Sequence, residues 1–428
     1  MLSAFRNAFK IPDLRGKILF TLGIIAIYRL GSNFPVPGVD YKGVHDFLSN
    51  ASKQSNGAFT LINLFSGGAL TQFAIFALGI MPYITSSIIM QLLGVVIPRL
   101  EQLQKEGEQG RKKIQQYTRY VTVGLAILQS AGIVTLAHNG GLLQGFDIFP
   151  GLNAPRFALA LLTLTAGTAL IMWLGELITQ RGIGNGMSVL IFSAIVARLP
   201  SEGANIWRVN GRVIFFLVLL LGFGIVVAVI YVEQAQRRIP VQYAKRMVGR
   251  RMYGGQSTYI PLKVNQAGVI PIIFASSLLY LPQLLASIIH KPWLTNITDR
   301  FTRTGNHPVY ILAYFVLIIA FAYFYNSIAF NPLDTAENMQ KYGGFIPGIR
   351  PGRQTAQYLD RILTRITLPG SLFLATVAVL PFIALSAGGI QQFPFGGTAI
   401  LITVGVGLET MKQIESQLLM RNYEGFLT

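Results

Sequence analysis

Runs of about twenty apolar residues constrain this chain most, because a helix needs that length to cross the hydrocarbon core of a bilayer. Eight are plain among the 428 residues: 18–34, 72–97, 120–138, 157–176, 213–232, 266–289, 308–330 and 368–390. Two weaker runs cover 183–199 and 398–420. The first of these opens on the glycine-rich GIGNG, and the second carries Glu409, Lys412 and Glu415 in its C-terminal half. Such polar groups suit helices that face protein or water at one end. Charged residues make up 12% of the chain, against about 25% in an average soluble protein. One or two soluble cores could not hide this much apolar surface. The expected fold class is therefore all-α polytopic membrane protein, with ten transmembrane helices. The first run lacks a small-residue cleavage site and has Arg29, Pro35 and Pro37 near its exit, so it does not read as a cleaved signal. Leu2–Lys17, with Phe5 and Phe9, reads either as a short helix lying on the membrane surface or as a disordered tail.

Ten spans put both termini on one side, and the loops decide which. The N-terminus, 98–119, 179–182, 233–265, 331–366 and the C-terminus hold 25 of the 35 Lys and Arg residues. By the positive-inside rule these segments, and both termini, are cytoplasmic. The net charge of +18 also suits a nucleic-acid or anionic-lipid partner. The halves 1–210 and 211–428 carry five spans each. Five is odd, so the halves have opposite topology, the arithmetic of two inverted pseudo-symmetric halves with a site near the midplane. The repeat is inferred from the span count alone.

Catalytic chemistry has little to work with. Cysteine is absent, which excludes disulfides, Cys-ligated metals and a thiol nucleophile. His45, His138, His290 and His307 lie far apart in expected exterior loops or at their edges, without metal-ligand spacing. No GxSxG elbow or Walker loop occurs. GIGNG at 182–186 follows no strand, and suits a tight helix start better than a dinucleotide site. Span centres are free of charge: Glu176 and Glu233 sit at cytoplasmic helix ends, and Glu409, the deepest acid, lies beyond the last apolar stretch. Ion-coupled transporters usually keep a charge within a span. No catalytic residue, metal or cofactor is expected.

Four features are unusual. FTLINLFSGGALT at 59–71 is amphipathic and broken at Gly67-Gly68, just before the second span. It reads as a re-entrant element, tolerated only where protein or a cavity covers it, or as an ordinary exterior loop helix. Ile80, Ile84 and Ile88 recur every fourth residue and share a helix face; Ile191, Ile273 and Ile402 occupy the middles of three other spans. They read as lipid-facing or core filler, or as a constriction that closes by excluding water. Thr85, Ser86, Ser87 and Gln91, then Gln129 and Ser130, then Ser276 and Ser277 add polar groups within spans. These fix static packing or form a weak seam of interhelical bonds, each worth about 0.6–2 kcal/mol. The long loops 233–265 and 331–366 interleave basic residues with Tyr, Ile, Pro and Gly. Orientation alone would need only scattered Lys and Arg; turns specified by Gly and Pro suit a docking surface for a large, RNA-bearing partner.

Together these residues resemble the SecY family of protein-translocation channels, over essentially the whole chain. The resemblance is carried by GGALTQFAIFALGIMPYITSSIIMQLL at 67–93, KEGEQGRKKIQQYTRY at 105–120, MWLGELITQRGIGNGMS at 172–188, QRRIPVQYAKR at 236–246, STYIPLKVNQAGVIPIIFASS at 257–277 and GGFIPGIRPG at 343–352. The C-terminal KQIESQLLMRNYEGFL is similar to versions from high-GC Gram-positive bacteria. The resemblance implies a clamshell of ten helices around an hourglass pore, in the bacterial cytoplasmic membrane. It implies a pore ring of Ile80, Ile84, Ile191, Ile273 and Ile402, and a plug at 59–71 that includes Leu64, Phe65, Ser66, Gly67 and Gly68. It implies a lateral gate where Ser86, Ser87, Gln129, Ser276 and Ser277 meet. Docking of the SecA motor ATPase and the ribosome is implied at Arg237, Arg238, Lys245, Arg246, Arg250, Arg251 and Arg350. The small membrane subunits SecE and SecG, signal peptides, unfolded preproteins and anionic lipids are the further implied partners.

That assignment is physically coherent. A channel for chemically diverse unfolded chains cannot use specific ligands, whereas an aliphatic ring seals against water and ions without gripping any sequence. Apolar segments leave sideways through a seam of weak bonds. The alternative, a secondary transporter of an amphiphilic small molecule, shares ten spans and an inverted repeat but calls for an intramembrane binding residue. An intramembrane enzyme needs a buried dyad, and an ion channel a carbonyl or charged filter; neither is apparent.

Overall fold

The computed structural model describes residues 9, 11–40, 66–70, 72–138, 147–149, 151–243, 246–248, 251–253, 257–289, 308–388 and 397–424. Helices dominate: α1 (Pro12–Gly31), α2 (Met81–Val96), α3 (Pro98–Lys105), α4 (Glu108–His138), α5 (Ala154–Arg181), α6 (Gly186–Val196) and α7 (Leu199–Gln234). Strands β1 (Gln236–Tyr243), β2 (Arg246–Val248), β3 (Arg251–Tyr253) and β4 (Ser257–Lys263) follow. Then come α8 (Ile270–Ile289), α9 (Pro308–Ala329), α10 (Pro332–Lys341), β5 (Gly344–Phe345), α11 (Arg353–Gly388) and α12 (Gly397–Glu424). Each of the ten apolar runs contains a helical stretch. Among the described residues five helices are long and apolar enough to cross a membrane, or six if α2 and α3, bent by 101°, count as one broken span.

Two expectations need correction. α1 runs unbroken from Pro12 through Lys17, so residues 12–17 are its first turns and not a separate surface helix; Leu2 and Phe5 lie outside the described residues. Proline is well placed at such a start, where its missing N–H costs nothing. The run 72–97 is helical only from Met81, with Pro82 in the first turn. A helix begun at 72 would place Pro82 in its interior, against the carbonyl four residues back. Residues 72–80 instead progress by turns, with positive φ at Phe73 (46°) and Gly79 (57°).

GIGNG starts a helix tightly, as expected. Asn185 caps α6 by accepting from the Met187 N–H at 3.2 Å. Thr179 accepts from the Gly186 N–H at 2.9 Å, and Thr21 of α1 accepts from the Ile183 N–H at 3.2 Å. A side chain at Gly186 would run into the Gly175 carbonyl, so glycine here lets α6 lie close against α5. α7 is two helices joined at Gly211, whose φ of 83° and ψ of 172° suit glycine almost alone.

The packing is layered. One apolar cluster joins Val36, Leu70, Phe73, Ile133, Ile148 and Leu164. Another joins Ile225, Ile272, Tyr314, Ile318, Leu374 and Leu401. Between them a central cluster draws on α1, α2, α5, α6, α8 and α12. The two long loops are not merely loops with turns. β1 pairs antiparallel with β4, Ile239 opposite Ile260, and with β5, Gln242 opposite Phe345. Period-two alternation turns Ile239 and Val241 inward, where they meet Leu262, Met339, Ile346, Leu359, Ile362 and Leu363. Asn265, 4% exposed, donates to Glu233 Oε2 at 2.7 Å and to the Gly268 carbonyl at 3.1 Å, tying the end of α7 to the approach to α8.

Candidate functional site

The five isoleucines converge. Ile80 caps α2, Ile84 lies one turn on, and Ile191, Ile273 and Ile402 come from α6, α8 and α12. All are at most 9% exposed and all belong to the central cluster, with Ile88, Leu190, Phe274 and Val406 beside them. The cluster therefore draws on both halves of the chain. These side chains carry no polar atom, so the cluster offers water no hydrogen-bonding partner.

The stretch before α2 abuts this cluster. Ser66 is buried, Ala69 belongs to the cluster, and Gly67 lies so near α6 that a Cβ on it would stand 3.0 Å from Ala194. Leu64 and Phe65 lie outside the described residues.

α8 packs against both α2 and α4, forming a seam between the halves. Ser86, Gln129, Ser276 and Ser277 are buried on those helices, and Ser87 is half-buried. Their bonds are not shared as a cross-seam set. Ser86 Oγ donates to the Thr118 carbonyl at 2.6 Å, which joins α2 to α4 on one side of the seam. Ser276 Oγ donates to the Ile273 carbonyl of its own helix at 2.9 Å. Ser277 Oγ finds no partner among the described residues. A serine hydroxyl in a helix reaches a carbonyl three or four residues back readily, which competes with bonds across an interface.

The basic surface is built on the small sheet. Arg237, Arg238 and Arg350 are exposed, and the Arg238 guanidinium lies 4.8 Å over the Tyr259 ring. Arg246 and Arg251 fall on the hairpin β2–β3, paired with Tyr253 and Val248; Lys245 and Arg250 lie outside the described residues. Gly348 and Gly352 flank Arg350 with φ of 83° and 99°, which accounts for both glycines of GIRPG. The Arg350 carbonyl accepts from Thr355 Oγ1 at 3.0 Å, at the start of α11.

One constellation escaped the sequence reading. Arg119 of α4 grips Glu176 of α5 with two bonds, Nε to Oε1 at 2.8 Å and Nη2 to Oε2 at 2.6 Å, and Gln115 adds a third at 3.2 Å. The partners lie 57 residues apart, so nothing local announces them. Of the histidines, His138 ends α4 and pairs with Asp147 at 3.1 Å; the other three lie outside the described residues. Among the described residues no cluster of three or more His, Cys, Asp or Glu could hold a metal.

A solved structure described as a protein conducting channel superposes with a TM-score of 0.67 at 18% identity, covering 94% of this chain and 91% of that one. Sec61 in a canine ribosome-channel complex gives 0.63 at 18% identity, with the same coverage. A family model described as SecY matches residues 74–411. A curated relative from Mycobacterium tuberculosis (strain H37Rv), named protein translocase subunit SecY, is 57% identical over 440 residues. One of the same name from Streptomyces griseus is 59% identical over 442 residues. Both matches cover 100% of each chain. The chain belongs to the SecY family.

Proposed function

We propose that this chain is the central pore-forming subunit of a protein translocase. It passes unfolded secretory polypeptides across the bacterial cytoplasmic membrane and releases apolar segments sideways into lipid. The observation that carries the reading is the meeting of Ile80, Ile84, Ile191, Ile273 and Ile402, from both halves, in one buried cluster. These five form the resting seal, with 59–71 as the plug outside it. The seam of α2 and α4 against α8 is the lateral gate, carrying Ser86, Ser87, Gln129, Ser276 and Ser277. Both termini and the sheet platform are cytoplasmic, and the platform arginines receive the SecA motor and the ribosome. SecE and SecG complete the assembly, and anionic lipids surround its basic side. Halves 1–210 and 211–428 move as two bodies about the break at Gly211.

Protease protection of a secretory precursor tests this. The chain is reconstituted with its small partners in liposomes, and the motor and ATP are added. Protection that needs ATP and is lost with Arg350→Glu is the expected result. No protection from a folded, correctly oriented complex would return the small-molecule transporter reading to the front.

A further inference from the structure

The C-terminal end of α1 is fastened to the stretch preceding α2 in two different ways. Beyond the helix, the Val36 N–H donates to the Phe73 carbonyl and the Ile75 N–H to the Phe34 carbonyl, both at 2.8 Å. That is a backbone ladder, reinforced by Phe76, which stacks on the fully buried Tyr28 with ring centroids 5.7 Å apart. Residues 66–68 are held differently. Arg29 Nη1 donates to the Gly67 carbonyl at 3.0 Å, and the Tyr28 hydroxyl lies 3.5 Å from the Ser66 carbonyl. Gly67 and Gly68 have φ of 65° and 93°, and a Cβ on Gly68 would meet nothing within 4 Å. A Cβ on Gly67 would stand 3.1 Å from Arg29 Nη1, so glycine is what leaves that carbonyl within the guanidinium's reach. A charge-assisted bond is roughly twice as strong as a neutral one, and Arg29 spends it on one carbonyl of this stretch.

We propose that Arg29 is a positioning residue, a latch that holds Ser66–Gly68 against α6 and the isoleucine cluster while the channel rests. The proposal rests on reading 59–71 as the plug. The backbone ladder at 73–75 is then the fixed root, and the arginine bond the part that yields when a polypeptide enters.

The chain contains no cysteine, so single introduced thiols report locally. In the resting, reconstituted complex, Ser66→Cys should react slowly with a membrane-impermeant maleimide added from the exterior. Adding Arg29→Gln should speed that labelling on the order of tenfold, and Arg29→Lys by less, because lysine lacks the planar fork. Ala160→Cys, buried near the start of α5, should stay protected in every case. Unchanged labelling at 66 overturns the latch. So does an equal rise at 66 and 160, which would make Arg29 a general packing residue. If Arg29→Gln fails to accumulate, Arg29→Lys carries the same two outcomes. Deleting residues 59–65 separates the underlying reading: without ion leakage from that deletion the plug itself falls, and the latch with it. Leakage from the deletion beside unchanged labelling in the Arg29 variants defeats the latch alone.

Discussion

At the scale of single residues, shape and polarity decide more than charge. In the proposed ring, isoleucine is wide enough to close around a chain and offers no polar atom for an ion or water to follow. Replacing Ile84 or Ile402 with serine would place a hydroxyl in that proposed seal, and planar-bilayer recordings of the resting complex should show conductance raised on the order of tenfold. Unaltered current in both variants would remove these residues from the ring. Gly186 makes a different argument. Alanine there drives a methyl group into the Gly175 carbonyl; overpacking of that kind costs about 1–3 kcal/mol, and the thermal midpoint of the purified chain should fall. The Arg119–Glu176 pair joins a carboxylate side chain 10% exposed to a guanidinium side chain 35% exposed. Removing one partner of a buried pair costs about 3–5 kcal/mol, and partial exposure of the arginine lowers that. Arg119→Ala should cost roughly 2–3 kcal/mol, read from the same melting curve.

Elements show what sequence can and cannot disclose. The helices were legible because twenty-residue apolar runs have few other uses, and the isoleucine face was legible because 80, 84 and 88 fall on one side of a helix. Where the second helix begins was less so: an apolar run says nothing against turns, and Pro82 is the signal that could have placed the start at Met81. The platform was legible as a basic surface but not as a sheet, since the pairing of 242 with 345 joins segments a hundred residues apart. The serines of the proposed gate stand out by composition, yet composition could not say that Ser86 spends its hydroxyl on Thr118. Ser86→Ala should therefore loosen α2 from α4, whereas Ser277→Ala should leave the seam closed or tighten it. Cross-linking yield between α2 and α4 reads the first effect, and between α2 and α8 the second. On the platform, Arg350→Glu should impair motor-dependent export of a precursor while membrane integration of the chain stays normal; ordinary export would reduce that arginine to an orientation signal.

For the whole molecule, the odd number of spans per half suggests two inverted bodies, and that division remains a proposal. The backbone breaks at Gly211, and α8 packs on α2 and α4. Fragments 1–210 and 211–428, produced together, should co-purify and support precursor protection, because a cut at a break with glycine-only torsions severs no helical hydrogen-bond ladder. Failure to associate would mean that the linkage is structural and not merely a tether. The small sheet has a mechanical meaning as well. It stitches the end of α7, the approach to α8 and the segment before α11 into one piece. Three struts clamped at one end cannot slide independently, so a push delivered there is not dissipated in loop bending. If the proposed docking surface is right, a push delivered there is carried to α7, α8 and α11 together, as a key carries torque to a lock.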